Sequence, residues 1–453
     1  MARKVFLTAL LLFFVISSFS YLYSIEPTPA QLLQEIQALK MRVVELEEVV
    51  LKQQKNVVEI GKVAHGVARQ LKYEPGKGVE MPEAGLAIGA DITMIVQGTP
   101  NANNAGTEED AMFDASWSSD IEIEKRFENW GMAFLHLEAG QNDTIEPELN
   151  VFSNVNRDAF ASGANVQVTE AWYEHYFFES QLDVTGGKLD YTVYFDQNEY
   201  ANDETTEFLC RMFRNSPNIE FPYDNCLGFH ANIRPEMLKY LEFDLGIFNA
   251  DQSWDRVLDH MFYIAQVNFT PAGFIGLDEK QWFGNYRFYG WINDMQHNSL
   301  SKLGISTTDN KALNYGLGMS WDQMITDVFG IFGRFGWQRG NVALVDANGI
   351  NAPTLEWSWS LGAQITGRYW NRDEDVVAVM VGQAIPSYEY LASSPSASTA
   401  EGHIETYYRW QLNEHLAISP DLQFIWYPAG VNQHSKGDDN TIFVYGGRAQ
   451  IDF

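Results

Sequence analysis

The residues best suited to chemistry fall in one stretch, Tyr194 to Cys226. Asp196, Glu199, Asp203, Glu204 and Glu207 stand within it, followed by Arg211 and Arg214. Adjacent carboxylates can serve a glycosidase or hold calcium. The spacing is specific for neither, because acidic residues are common throughout and the calcium-loop pattern with its central glycine is missing. The nine His are scattered without metal-ligand spacing, and no nucleophile elbow or Ser-His-Asp arrangement stands out. No enzyme, metal site or bound cofactor is expected. What remains is a long charged loop able to hydrogen-bond a solute without altering it. Cys210 and Cys226 lie in the same stretch. In an oxidising compartment a Cys210–Cys226 disulfide would close it, the alternative being two thiols.

Further candidates sit on segments of period two. Glu405, Tyr407, Arg409 and Gln411 share one face, opposite Thr406, Tyr408, Trp410 and Leu412. Asp421 and Gln423 oppose Leu422, Phe424 and Trp426. Ser358, Ser360, Gln364 and Arg368 oppose Trp357, Trp359, Leu361 and Ile365. Arg334 and Gln338 alternate with Phe335 and Trp337, and Arg287 with Phe288. The chain ends on a further such strand, with Arg448, Gln450 and Asp452 between apolar or small residues and Phe453 last. One greasy and one charged face suit a β-barrel whose outside meets lipid and whose inside meets water. A one-residue slip would send every charge into lipid, so the register is enforced.

Composition agrees. Of 453 residues, 45% are hydrophobic and 14% aromatic, yet beyond the N-terminus no apolar run is long enough for a membrane helix. The formal net charge of −30 argues against nucleic acid, which needs a basic surface.

Four regions follow along the chain. Residues 1–24 read as a secretory signal peptide, with Arg3 and Lys4 before an apolar run from Val5 to Ile16. Residues 28–72 carry a heptad: Ile36, Val43, Val50, Val57, Ala64 and Leu71 at one core position, Leu32, Leu39, Leu46, Gln53, Ile60 and Val67 at the other. This predicts a coiled coil, the alternative being a single amphipathic helix lying on the barrel or plugging it. Residues 73–84, with Pro75, Gly76, Gly78 and Pro82, read as a linker. From 85 to 453 about sixteen strands are expected, an all-β transmembrane antiparallel barrel. Their starts fall near Gly85, Ser116, Trp130, Val166, Leu182, Leu227, Lys239, Leu258, Phe283, Lys311, Val328, Glu356, Asp375, His403, His415 and Thr441.

At the long loop the chain resembles a known family. Lys188-Leu189-Asp190 and the run from Phe195 to Leu209 look like the signature of OprB-like carbohydrate-selective porins. Glu405 to Leu412, Ile418 to Ile425, and the terminal strand with Gly447-Arg448-Ala449-Gln450 and Phe453 are similar too. The resemblance implies a sixteen-stranded outer-membrane porin passing sugars by diffusion, its constriction lined by charged and aromatic side chains. The expected sugar path comprises Asp196, Glu199, Glu204, Arg287, Arg334, Arg368, Glu405, Arg409, Gln423 and Arg448. Sugar hydroxyls both donate and accept, so such residues suit them, and weak repeated binding lets the solute leave.

The expected partners are the lipid bilayer, sugars in transit, a homo-oligomer (dimer or trimer) and the cell wall, reached by the coiled coil. About forty helical residues extend ~60 Å. Two other readings stand beside this one: a porin for other small solutes, and a structural tether.

Overall fold

The computed structural model describes residues 37, 40–43, 72–74, 76, 78–103, 111–157, 165–223, 225–276, 282–301, 306–309, 312–345, 352–393, 399–431 and 441–453. The chain divides into two units, Met1–Gln70 and Leu71–Phe453. In the first, Gln37 and residues 40–43 are helical and exposed. The predicted signal peptide lies outside the described residues, as does nearly all of the predicted coiled coil.

The second unit opens with a hairpin, β1 (Lys72–Glu74) and β2 (Gly78–Met81). The segment read as a linker therefore carries strand: β2 pairs with the first barrel strand, Val79 opposite Ile88. Gly78 is what the turn requires. Its φ is +85°, and an added Cβ would lie 2.1 Å from the Ile88 carbonyl oxygen.

The barrel strands are β3 (Leu86–Thr99), β4 (Met112–Phe127), β5 (Gly131–Gln141), β6 (Gln167–Phe177), β7 (Leu182–Leu189), β8 (Cys226–Ile233), β9 (Leu241–Asn249) and β10 (Met261–Phe269). They continue as β11 (Gly284–Asn293), β14 (Asn314–Thr326), β15 (Phe329–Gln338), β17 (Leu355–Thr366), β18 (Val376–Pro386), β19 (Glu401–Asn413), β20 (Leu416–Trp426) and β21 (Thr441–Asp452). Each pairs antiparallel with the next, and β21 pairs with β3 to close the ring, sixteen strands among the described residues. Between them β12 (His297–Leu300), β13 (Ser306–Asp309) and β16 (Val342–Leu344) form a separate small sheet.

Alternation sets the two faces. On β20, Ala417, Ser419, Asp421, Gln423 and Ile425 are buried, while Ile418, Leu422 and Phe424 are exposed. The same apolar exposure recurs at Met94, Phe229, Leu245, Phe288, Leu317, Phe335, Leu361 and Val379. A ring of exposed apolar side chains around a closed sheet is the lipid face of a barrel. Aromatic contacts mark its rims. Tyr315, Trp337 and Trp357 meet across β14, β15 and β17, and Phe127, Trp130 and Tyr173 cluster at the opposite end.

The two ends differ. At one, Thr326 and Phe329, Asn413 and Leu416, and Phe127 and Gly131 are joined by short turns. Phe453 lies at that end too. At the other end run the long connections, including 142–166 and 190–225. In barrels of this kind the short turns face the periplasm.

Inside, the lumen is not simply polar. Three buried apolar clusters join the long connections to the wall. One sets Tyr191, Phe195 and Phe221 against Phe248, Phe262 and Trp291. Another sets Phe208, Cys210 and Phe213 against Phe332, Met380 and Tyr407. A third sets Ile145, Leu149 and Val155 against Ile425, Ile442 and Val444. Apolar side chains here point inward because the inserted loops give them a core to join.

Candidate functional site: an inserted loop and the passage beside it

The 190–225 loop folds into the barrel, and the sequence explains how. Asp190, just past β7, accepts hydrogen bonds from the Thr192 N–H and Oγ1, each at 2.7 Å, an Asx turn that bends the chain inward. Asp203 does the same further on, accepting from the Thr205 N–H and Oγ1 at 2.8 Å. Asp196 adopts φ +59°, which an Asp tolerates better than most residues. Its Oδ2 accepts from the Ser216 N–H at 2.6 Å, tying the start of the loop to its far limb.

The wall then grips the loop from β14 to β21. Arg334 on β15 donates to Asp196 Oδ2 (3.2 Å), the Asp196 carbonyl (2.9 Å), the Phe213 carbonyl (2.6 Å) and the Ala201 carbonyl (2.8 Å). Glu405 on β19 accepts from the Leu209 and Cys210 N–H groups at 2.6 and 3.0 Å. Arg448 on β21 donates to the Glu204 and Glu207 carbonyls at 2.6 and 2.9 Å. Asn198 donates to the Ser320 hydroxyl and the Trp321 carbonyl of β14 at 3.2 and 3.0 Å. Two glycines of β15 make room. A Cβ on Gly330 would lie 2.4 Å from the Tyr200 ring, and one on Gly336 2.4 Å from Ser216 Oγ.

A second inserted loop, 142–157, is held similarly. Glu401 accepts from the Phe152, Ser153 and Ala429 N–H groups at 2.8, 2.9 and 2.7 Å. Gln423 donates to the Val155 carbonyl at 2.9 Å, and its Oε1 lies 3.1 Å from His403 Nε2.

Most of the residues expected along a sugar path are therefore placed under the loops. Asp196, Arg334, Glu405, Gln423 and Arg448 are all buried. Arg287 is buried too, ion-paired to Asp322 at 2.6 Å. Arg409 is half-buried on the face of Glu405, and Glu199 is exposed on the loop. Arg368 leaves the barrel interior altogether. Its strand ends at Thr366, so it sits in the 3-10 turn Gly367–Trp370, exposed and paired with Asp327 at the rim. Cys210 and Cys226 are separate buried thiols. They belong to different apolar clusters, Cys210 with Phe213 and Phe332, Cys226 with Leu189 and Phe248, so the expected disulfide does not form.

Of the expected set Glu204 alone lines the main open space. That space is a cavity of about 720 Å³ on the side of the loop away from its anchors. Its wall is Asp91 of β3, Ser118, Asp120 and Glu122 of β4, His136 and Glu138 of β5, and Glu170 of β6. The loop side offers Asp190, Tyr191, Asn202, Asp203, Arg211 and Arg214. His136 Nε2 lies 2.9 Å from Asp120 and Nδ1 3.7 Å from Glu170. Arg214 Nη1 pairs with Glu204 at 2.5 Å. Burial, then the nearby Glu170 charge, holds the Asp190 carboxyl above the usual range. Burial likewise raises Glu204, against the pull of Arg214. A second cavity, about 570 Å³, opens toward the short-turn end between Glu174, Asp183, Tyr194, Gln197, His230 and Asp244. There Tyr194 stacks on His230 with ring centres 4.0 Å apart. The β4 residues were missed by the sequence reading, although Asp114, Ser116, Ser118, Asp120, Glu122 and Glu124 hold one face without a break.

Residues 111–453 match the family described as carbohydrate-selective porin, OprB family. No curated protein matches the chain. Among solved structures, OprB of Pseudomonas putida at high pH aligns with a TM-score of 0.63 at 15% identity, covering 82% of this chain and 95% of that one. The low-pH structure of the same protein gives 0.49 at 14%, covering 82% and 94%. The outer membrane channel DcaP of Acinetobacter baumannii gives 0.49 at 10%, covering 82% and 98%. The first of these likenesses shows the barrel fold.

Proposed function

We propose that this chain, which belongs to the OprB family of carbohydrate-selective porins, passes mono- and short oligosaccharides by diffusion across the outer membrane. The observation that carries this reading is the off-centre seating of the 190–225 loop. Anchors on β14, β15, β19 and β21 draw it to one side, leaving an open cavity along β3 to β6 that we read as the solute's way through. Carboxylates and amides accept and donate to sugar hydroxyls there, and the exposed Tyr223 offers ring surface for C–H faces. Each contact is individually weak in water, which favours passage over retention.

The path so drawn differs from the one read off the C-terminal strands. Arg334, Glu405, Gln423 and Arg448 act on it indirectly, by fixing where the loops stand. The test is purified protein in planar bilayers and in vesicles. Added sugars should reduce ion current in a saturable way, and vesicles should swell in monosaccharides faster than in other neutral solutes of the same size. Equal swelling rates without current block would favour the general small-solute reading.

A further inference from the structure

We propose that the passage prefers cations, so that protonated amino sugars and other small cationic solutes cross more readily than sugar acids. This rests on the porin reading above. Among the described residues lining the larger cavity stand nine carboxylates and three guanidinium groups. The strand wall of that cavity is one-signed apart from His136. Asp91, Asp120, Glu122, Glu138 and Glu170 come from β3, β4, β5 and β6, and no Lys or Arg joins them there.

The three arginines are all on the loop side, and two are already engaged. Arg214 is 5% exposed and ion-paired to Glu204 at 2.5 Å. The Arg157 guanidinium lies over the Tyr223 ring at 4.6 Å. Three wall arginines that could have balanced the charge are spent elsewhere. Arg334 and Arg448 donate to loop carbonyls, and Arg287 pairs with Asp322. The second cavity keeps the same sign, with Glu174, Asp183, Glu242 and Asp244 against Arg234, which is itself paired to Asp183.

Fixed charge of one sign on low-dielectric walls focuses the potential along a passage. Acidic linings are how protein pores select cations. A carboxylate also accepts strongly from an ammonium group, while a sugar carboxylate is repelled by every charged group of the strand wall but His136. With a Debye length of about 8 Å at physiological salt, screening only partly removes the effect of charges that line the cavity directly.

The test is a reversal potential across a planar bilayer with a tenfold KCl gradient, joined to vesicle swelling in glucosamine, glucose and glucuronate. The expected result is a potassium-to-chloride permeability ratio of about three or more, and swelling fastest in glucosamine and slowest in glucuronate. The triple variant Asp120→Asn, Glu122→Gln, Glu170→Gln should bring the ratio close to one. A conducting wild-type channel with a ratio at or below one, or with glucuronate as fast as glucosamine, overturns this proposal alone. A protein that inserts and passes no solute overturns the porin reading and this proposal together.

Discussion

Arg334→Ala should loosen the inserted loop more than any other single wall substitution. One guanidinium makes four hydrogen bonds to the loop: one to the Asp196 carboxylate and three to the carbonyls of Asp196, Ala201 and Phe213. Asp196 is fully buried, and Arg334 is 3% exposed. Removing one partner of a buried ion pair costs ~3–5 kcal/mol, because the other charge is left behind. Summing three orphaned carbonyls at ~1–3 kcal/mol each would exceed that, but water entering the vacated space restores part of it. The lower figure governs. It corresponds to a shift of roughly two to four powers of ten in the loop's docking equilibrium. Burial already pushes the Asp196 carboxyl above its usual range against the pull of Arg334, so loss of Arg334 raises it further. Single-channel recording is the assay. The variant should show frequent excursions to a larger conductance and a noisier baseline, with weaker block by sugar. Asp196→Ala with Arg334→Ala should cost less than the two single losses added, because no isolated charge remains. Unaltered conductance, noise and block in a folded Arg334→Ala barrel would refute the claim that this residue holds the constriction.

Three further outcomes are expected. Gly336→Leu should widen or destabilise the constriction without deleting any hydrogen bond, since even its Cβ would meet Ser216 and Asn218, whereas Gly290→Ala, whose Cβ has open space to 3.8 Å, should record like wild type. Phe424→Arg on the lipid face should cost ~2–4 kcal/mol in a denaturant titration of the inserted barrel, against ~0–1 kcal/mol for Arg368→Ala, whose ion pair is 61% and 71% exposed. Burial, then the Glu405 charge, pushes the Cys210 thiol well above its ordinary range. Thiol reagents at pH 8 should therefore leave Cys210 unlabelled until the barrel is unfolded, and reducing agent should not change the folded protein's gel mobility.

The barrel was legible because period two is a local signal that a lipid-facing strand cannot disguise. The start read near Ser116 and the observed Met112 differ by a few residues, and Leu182 and Thr441 coincide. The inward faces of Glu405, Gln423 and Arg448 were legible for the same reason. Their occupation was not. Alternation says that Arg334 points into the lumen but not what stands opposite, and its partner Asp196 is 138 residues away. A charged inward side chain reads the same whether it meets water or a loop. Arg368 failed differently: extrapolating the period past Thr366 ran through a turn where the strand had already stopped. The cysteines misled because closeness in sequence was taken for closeness in space, while Cys226 opens β8 and Cys210 sits against β19.

The loop that narrows the lumen lies near the middle of the chain, and its fasteners come later. Asp196 waits for Arg334, Leu209 for Glu405 at 196 residues, and Glu204 for Arg448 at 244. Such distant contacts form late, because the intervening chain must first be ordered. Arg448 is on the last strand, which also pairs with β3 to close the ring. The loop's last fastener is thus set by the strand that closes the ring, after the strands carrying Arg334 and Glu405 are already in the wall.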